Sequence, residues 1–368
     1  MHRLTGRWRS DRGALGVLVA VVLGFGVLLG FGALVIDVGQ LYAEREELQS
    51  GSDAAALAVA QACAVNPAAC TAAAQAGVAA DLADQNATDG ASAVDVLCGA
   101  PGTGLPGCPA AADNITACVS DPPASGSWVE VRTTTSMPDG STLLPPTFAR
   151  TLLGNEDYDG TRVGACARVA WGTPGSAATI AVTMSTCEWN EITADGTTLW
   201  PAPDFMPPAS AEGIIQLHGT SGASPCPAGP SGWDAPGGFG WLDDPSATCA
   251  TSVSADGTYG GDTGVSASQP CRDALRDMRD AHAAALIPIF DGVHGTGSNI
   301  EYHLSGFSAF VLTGYHLPGI KEKSWLSGKD LCKGDDKCLY GYFVTGLFPA
   351  SGGFGGTNYG AKILRLVG

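Results

Sequence analysis

GALGVLVAVVLGFGVLLGFGALVIDVGQLYAEREELQSGSDAAALAVAQA, Gly13 to Ala62, decides how this chain is built. Its first 24 residues, Gly13 to Ile36, carry no charge. As a helix rising about 1.5 Å per residue they reach about 36 Å, enough to cross a hydrocarbon core of about 30 Å with some tilt. His2, Arg3, Arg7, Arg9 and Arg12 precede the run; Asp37, Glu44, Glu46 and Glu47 follow it, with Arg45 the single nearby base. The positive-inside bias predicts residues 1–12 in the cytoplasm, a transmembrane helix over 13–36, and the rest outside, in a single-pass plasma-membrane protein. A cleaved signal peptide is the competing reading, but its apolar core would run about 7–15 residues, and the small-residue tripeptide Ala54-Ala55-Ala56 lies well past the run. Gly24, Gly26, Gly30 and Gly32 either admit a close helix neighbour or reflect a Gly-rich chain.

Cysteine usage agrees with export. The twelve cysteines form an even set, all beyond the apolar run, in a chain of 368 residues. Such a set persists as disulfides in an oxidising compartment. The spacings contain no CxxC pair, which argues against zinc. The expected local bridges are Cys63–Cys70, around Asn66-Pro67, and Cys332–Cys338, around KGDDK. The net charge is −17, although the first twelve residues hold four Arg against one Asp. A basic footprint for nucleic acid is absent, and an acidic exported domain stays soluble and is repelled by anionic surfaces.

Outward from the apolar run the chain divides into three parts. Residues 37–85 read as an Ala-rich helical stalk: Leu41 and Leu48 lie seven apart, and Ala54 to Ala62 is nearly all strong helix former. Gly51-Ser52-Asp53 marks a kink, or a break with Asp53 as N-cap of a second helix. Asn66-Pro67 ends that helix, and TAAAQAGVAADLAD makes another. An Ala surface packs closely but buries little, so the stalk needs a sheet or a bundle to lie on. Residues 86–176 mix turns with strands at WVEVRT (Trp128–Thr133) and TRVGACARVAW (Thr161–Trp171), with FARTLLG (Phe148–Gly154) as a short helix between them. Residues 177–368 hold strand candidates at Thr179–Met184, Gly213–Leu217, Leu286–Phe290, Glu301–Tyr315, Leu339–Leu347 and Lys362–Val367. One helix is expected there, at Cys271–Ala285. Gly237, Gly238 and Gly240 read as loop, with Trp233, Phe239 and Trp241 over the core or exposed as an adhesive or glycan-contacting surface. No repeat of about 20–50 residues is present. The fold class expected is α+β: a long N-terminal transmembrane helix followed by a β-rich, disulfide-bonded extracytoplasmic domain.

No catalytic constellation emerges. GFSAF (Gly306–Phe310) lacks the second Gly of a nucleophile elbow. His294, His303 and His316 form no His-Glu-x-x-His motif, and PGGFGW and SGGFGG lack the Lys-Ser/Thr of a phosphate loop. No cofactor or metal is expected.

A resemblance rests on the residues after the apolar run. Asp37-Val38-Gly39-Gln40-Leu41-Tyr42, Arg45, Leu48-Gln49 and Asp53-Ala54-Ala55-Ala56-Leu57-Ala58 stand in the order and spacing of the N-terminal signature of TadE/TadG-like pilus-assembly proteins. The remainder is similar in flavour to the long C-terminal regions of actinobacterial TadG-like members. The resemblance implies a non-enzymatic role in building or anchoring Flp-type (tight-adherence) pili, with membrane lipid and other pilus-assembly or pilin subunits as partners through the N-terminal helix. Asp37, Tyr42, Arg45, Leu48 and Asp53 are the packing and assembly candidates. Asp37 and the Glu44–Glu47 cluster either pair with a partner's base or form a solvated helix face. Prepilin processing is not expected, because Gly13 and Gly16 precede purely apolar residues and no Glu-Tyr follows. A von Willebrand A-type metal turn is not expected either. Its nearest match is Asp244-Pro245-Ser246-Ala247-Thr248, and the preceding GGFGWLD does not read as a buried strand. The alternative function is a membrane-anchored surface adhesin or binding protein unrelated to pili.

Overall fold

The computed structural model describes residues 12–24, 27–111, 117–137, 139–150, 159–202, 206–217, 226, 238–244, 246–262, 267–295, 299–349 and 352–368. The chain opens with two helices, α1 (Arg12–Gly24) and α2 (Val27–Val65). Among the described residues no helix is long and apolar enough to cross a membrane. Of the apolar run, the described residues lie in α1, which has 13 residues, and in the first ten residues of α2, 27–36, before Asp37. From Asp37 on, α2 has both buried and exposed residues, and its 39 residues reach about 58 Å. The turn after it is capped by Asn66, whose side chain accepts from the Ala68 N–H, and is closed by Cys63–Cys70. Helix α3 (Ala72–Gln85), capped by Thr71, returns alongside α2.

The expected break at Gly51 does not occur. A Cβ there would lie 3.1 Å from Ala83 Cα, so Gly51 is where α3 comes closest to an unbroken helix. Asp53 is accordingly no N-cap; it sits mid-helix and accepts from Gln49 Nε2 at 2.9 Å.

Strands β1 (Ser92–Gly99), β2 (Ser127–Thr135) and β3 (Gly164–Gly172) form an antiparallel sheet under these helices. Alternation gives the sheet two faces. Val129, Val131, Ala167, Val169 and Trp171 pack against Ala55, Ala56, Val59, Ala60 and Ala64 of α2 and Ala79 of α3. The small Ala side chains let helix and sheet approach closely, which is how the Ala-rich stretch finds its partner.

Beyond Gly172 follow β4 (Ser176–Ile180), β5 (Val182–Ser185), α4 (Thr186–Thr193), β6 (Trp200–Pro201), β7 (Gly213–Gln216), β8 (Phe239–Leu242), β9 (Ala250–Ser254) and β10 (Thr258–Asp262). Then come α5 (Gln269–Asp280), β11 (Ala284–His294), β12 (Glu301–Leu317), β13 (Ile320–Glu322), β14 (Cys338–Leu347), β15 (Thr357–Tyr359) and β16 (Ala361–Leu366). Helix α5 stops short of its expected end because His282 turns left-handed, at φ 51°, and Ala284 and Ala285 join β11. Five strands close into a ring in the order β5–β8–β10–β12–β11–β5, all antiparallel except β5 with β11. Phe239, Phe290, Tyr302, Phe307 and Phe310 belong to the second core, built around this ring. Strand β8 corrects the loop reading of GGFGWLD: all four of its residues are buried. A Cβ on Gly240 would lie 2.1 Å from Tyr302 Oη, so this glycine serves close packing, not chain reversal.

The 17-residue β12 also pairs with β14, which joins β16 in parallel; β16 then pairs antiparallel with β3. The last strand of the chain thus completes the N-terminal sheet. The disulfides fall into two groups: Cys63–Cys70, Cys98–Cys108 and Cys118–Cys166 lie before residue 177, and Cys187–Cys226, Cys249–Cys271 and Cys332–Cys338 after it. Hydrogen bonds of the backbone join the two parts, since β16 pairs with β3. No cysteine is free. The FARTLLG helix lies mostly outside the described residues.

Candidate functional site

The residues that stand out in the sequence converge on α2, and they divide by face. On the side toward the sheet, Asp37 accepts backbone N–H bonds from Thr147 (2.9 Å), Phe148 (3.0 Å) and Ala149 (2.6 Å). Thr147 Oγ1 also donates to Gln40 Oε1 at 2.9 Å. Two turns on, Glu44 is buried and accepts from Thr135 Oγ1 at 2.7 Å. Glu47 accepts from the Thr88 N–H at 2.9 Å and its hydroxyl at 2.6 Å. Leu48 is buried, and its carbonyl accepts from Thr133 Oγ1 at 2.9 Å. Gln49 Nε2 donates to the Cys166 carbonyl at 3.1 Å as well as to Asp53. At the far end Lys362 Nζ donates to the Ala64 carbonyl at 2.7 Å, one of the orphan carbonyls of the helix C-terminus. Asp37, Glu44 and Glu47 therefore bond within the chain, while Glu46 is exposed. They fix the rotation and height of the helix on its sheet.

The other face is open. Tyr42 is 68 % exposed and Arg45 is exposed. Leu15, Val17, Leu18, Phe31, Leu34, Val35 and Ile36 are exposed in sequence upstream. Among the described residues nothing covers this apolar surface.

Electrostatics separate the two ends of the module. Glu44, Glu47 and Asp89 bring carboxylate oxygens within 4.8 Å of one another. Burial raises the Glu44 pKa above its usual value; the Thr135 bond opposes this, and Asp89 and Glu47 add to it. On the outer face of the sheet, Glu130 is held between Arg132 (Nε to Oε1, 2.7 Å) and Arg168 (Nε to Oε2, 2.9 Å), all three buried. Arg168 also lies over the Trp128 ring, 5.3 Å from its centroid. The loop that buries them is pinned by Cys98–Cys108 and Cys118–Cys166. Spacing gave no hint of this triad, because alternate charged residues on a strand read as a solvated face.

Elsewhere the described side chains gather less. His303 Nδ1 lies 2.6 Å from Asp291 and His316 Nδ1 3.6 Å from Asp330, with the two histidines about 40 Å apart along β12. Asp244 accepts from Ser246 Oγ at 2.7 Å, and that oxygen lies 2.7 Å from Thr248 Oγ1, in a turn closed on itself. Phe239 and Trp241 are core residues, not an adhesive surface, and Trp233 lies outside the described residues. Among the described residues, clefts of about 480 Å³ beside Trp241 and Asp262 and about 310 Å³ beside Trp171 and Lys362 are present.

These features define a class: a chain whose N-terminal helix begins apolar and runs on to pack on the sheet of an α/β module. Residues 16–62, about an eighth of the chain, match the family model described as "Putative Flp pilus-assembly TadE/G-like". The matched stretch contains Asp37, Tyr42, Arg45, Leu48 and Asp53. No curated protein and no solved structure matches the chain.

Proposed function

We propose that this protein is a non-enzymatic, membrane-anchored component that builds or anchors Flp-type pili at the cell envelope. The observation that carries the reading is the match over residues 16–62, which takes in the helix whose polar residues dock on the sheet and apolar side chains left exposed among the described residues. One helix then serves two purposes. Asp37, Glu44, Leu48 and Gln49 hold the module, while Tyr42, Arg45 and the apolar residues before them are left for lipid and for helices of other pilus-assembly or pilin subunits. The 24-residue uncharged run, basic on one side and acidic on the other, supports a single pass with residues 1–12 cytoplasmic. Six disulfides support an extracytoplasmic module.

The test is deletion of the gene followed by electron microscopy of surface pili, with pilin synthesis checked in parallel. Bald cells that still hold pilin in the membrane, restored by the wild-type gene, are expected. Normal pili in the deletion strain would refute the proposal.

A further inference from the structure

Asp37 is the first charged residue after the apolar run, and the segment that satisfies it is 110 residues away in sequence. Its carboxylate takes three backbone N–H bonds from Thr147, Phe148 and Ala149. Charge-assisted bonds of this kind meet most of the demand of a carboxylate without water. The water boundary can therefore lie at the level of Asp37 itself. The same bonds bring Phe148 to that level with 41 % of its surface exposed. Val38, also 41 % exposed, is the next residue on the helix, and Tyr42 follows about 8 Å along the axis. Leu34, Val35 and Ile36 lie exposed just before it. Apolar surface thus runs on from the helix to a side chain contributed by the α/β module.

We infer that the module rests directly on the bilayer, with Phe148 and Tyr42 seated at the boundary between headgroups and acyl chains. The inference builds on the membrane-anchor reading above. Aromatic side chains gather at this depth, with an apolar ring in the chains and, for Tyr, a hydroxyl among the headgroups. Lipid is the occupant favoured by continuity: the patch adjoins the apolar run with no polar residue between except Asp37, which is already satisfied. The contact removes any free spacer. Since α2 is docked on its sheet from Asp37 onward, the clamp at residues 147–149 sets the height and tilt of the whole module above the membrane.

The experiment places the photoreactive residue benzoylphenylalanine at position 148, 31 or 119 of the full chain. The protein is reconstituted in phosphatidylethanolamine–phosphatidylglycerol vesicles, irradiated and read by mass. Val119, 98 % exposed and beside the Cys118–Cys166 bridge, is the site away from the membrane. Lipid adducts at 148 and 31 and none at 119 are expected. In an Asp37→Ala background the adduct at 148 is lost and that at 31 stays. Adducts at 31 without 148 overturn the inference and leave the anchor standing. Absence at both overturns anchor and inference together. Lipid at all three sites, or an unchanged yield at 148 in Asp37→Ala, removes the role of the clamp. A protein adduct alone at 148 assigns the patch to a neighbouring subunit and also overturns it.

Discussion

Replacing Glu130 by Gln removes the single anion from a buried group of three charges. Glu130 is 1 % exposed, and Arg132 and Arg168 are 7 % and 6 % exposed. With the carboxylate gone, two guanidinium groups remain in a site closed to water by the disulfide-held loop. Breaking a buried pair on one side costs about 3–5 kcal/mol. The Pro109 carbonyl on Arg132, the Ser120 carbonyl on Arg168 and the Trp128 ring persist, which puts the expected loss near the lower end, about 3 kcal/mol. At about 2–4 °C per kcal/mol for a unit of about 150–250 residues, Tm falls by about 6–12 °C. The assay is thermal unfolding followed by circular dichroism with all disulfides intact. A control replaces the whole group, Glu130→Leu with Arg132→Leu and Arg168→Leu; it is expected to be neutral or stabilising, since no charge is left stranded. A Glu130→Gln protein melting within about 2 °C of wild type would refute the reasoning, for it would mean the two arginines need no buried counter-ion.

Further outcomes follow from other contacts. Removing Cys118–Cys166, which spans 48 residues, is expected to cost about 4 kcal/mol against about 2.4 for Cys63–Cys70, which spans 7, on the loop-entropy scale; denaturant midpoints of the two Cys→Ala pairs in the reverse order would count against it. Glu44 binds its proton more tightly folded than unfolded, so its contribution to stability is fullest below the ordinary value of 4.5 and is lost as pH rises through the higher folded value. Glu44→Gln should flatten that decline just above pH 4.5, and an unchanged slope in pH-dependent denaturation would exclude Glu44 as its source. Gly240→Ala drives a Cβ into Tyr302, itself 2 % exposed, and is expected to cost about 1–3 kcal/mol or more. A wild-type denaturation midpoint for this variant would show that the ring can move aside.

What the sequence discloses and what it hides follow from how far apart the interacting residues lie. The N-terminal helix was legible because its signal is local: an uncharged run, then Ala at helical spacing. Strands β11, β12 and β14 were legible because they are apolar, β-branched and bounded by turns. Gly51 and Gly240 misled for one reason. A glycine signals either a turn or a close approach, and only the distant partner, Ala83 or Tyr302, tells which. The docking residues of α2 show the same limit. Asp37 and Glu44 were conspicuous, yet their partners are a backbone segment at 147–149 and a threonine at 135, neither marked by composition. The C-terminal strand hid its place because the sheet it completes begins some 270 residues earlier, at Ser92.

The central claim is that the N-terminal helix is itself the assembly element, beyond holding the module at the membrane. It is tested in the deletion strain by a chain whose residues 13–36 are exchanged for an unrelated apolar helix of the same length, leaving Asp37 and everything after it intact. Membrane retention and all six disulfides are verified first, and surface pili are then counted. The account predicts a folded, anchored protein on cells that stay bald. Pili restored to wild-type number would show that any anchor suffices, and would contradict it.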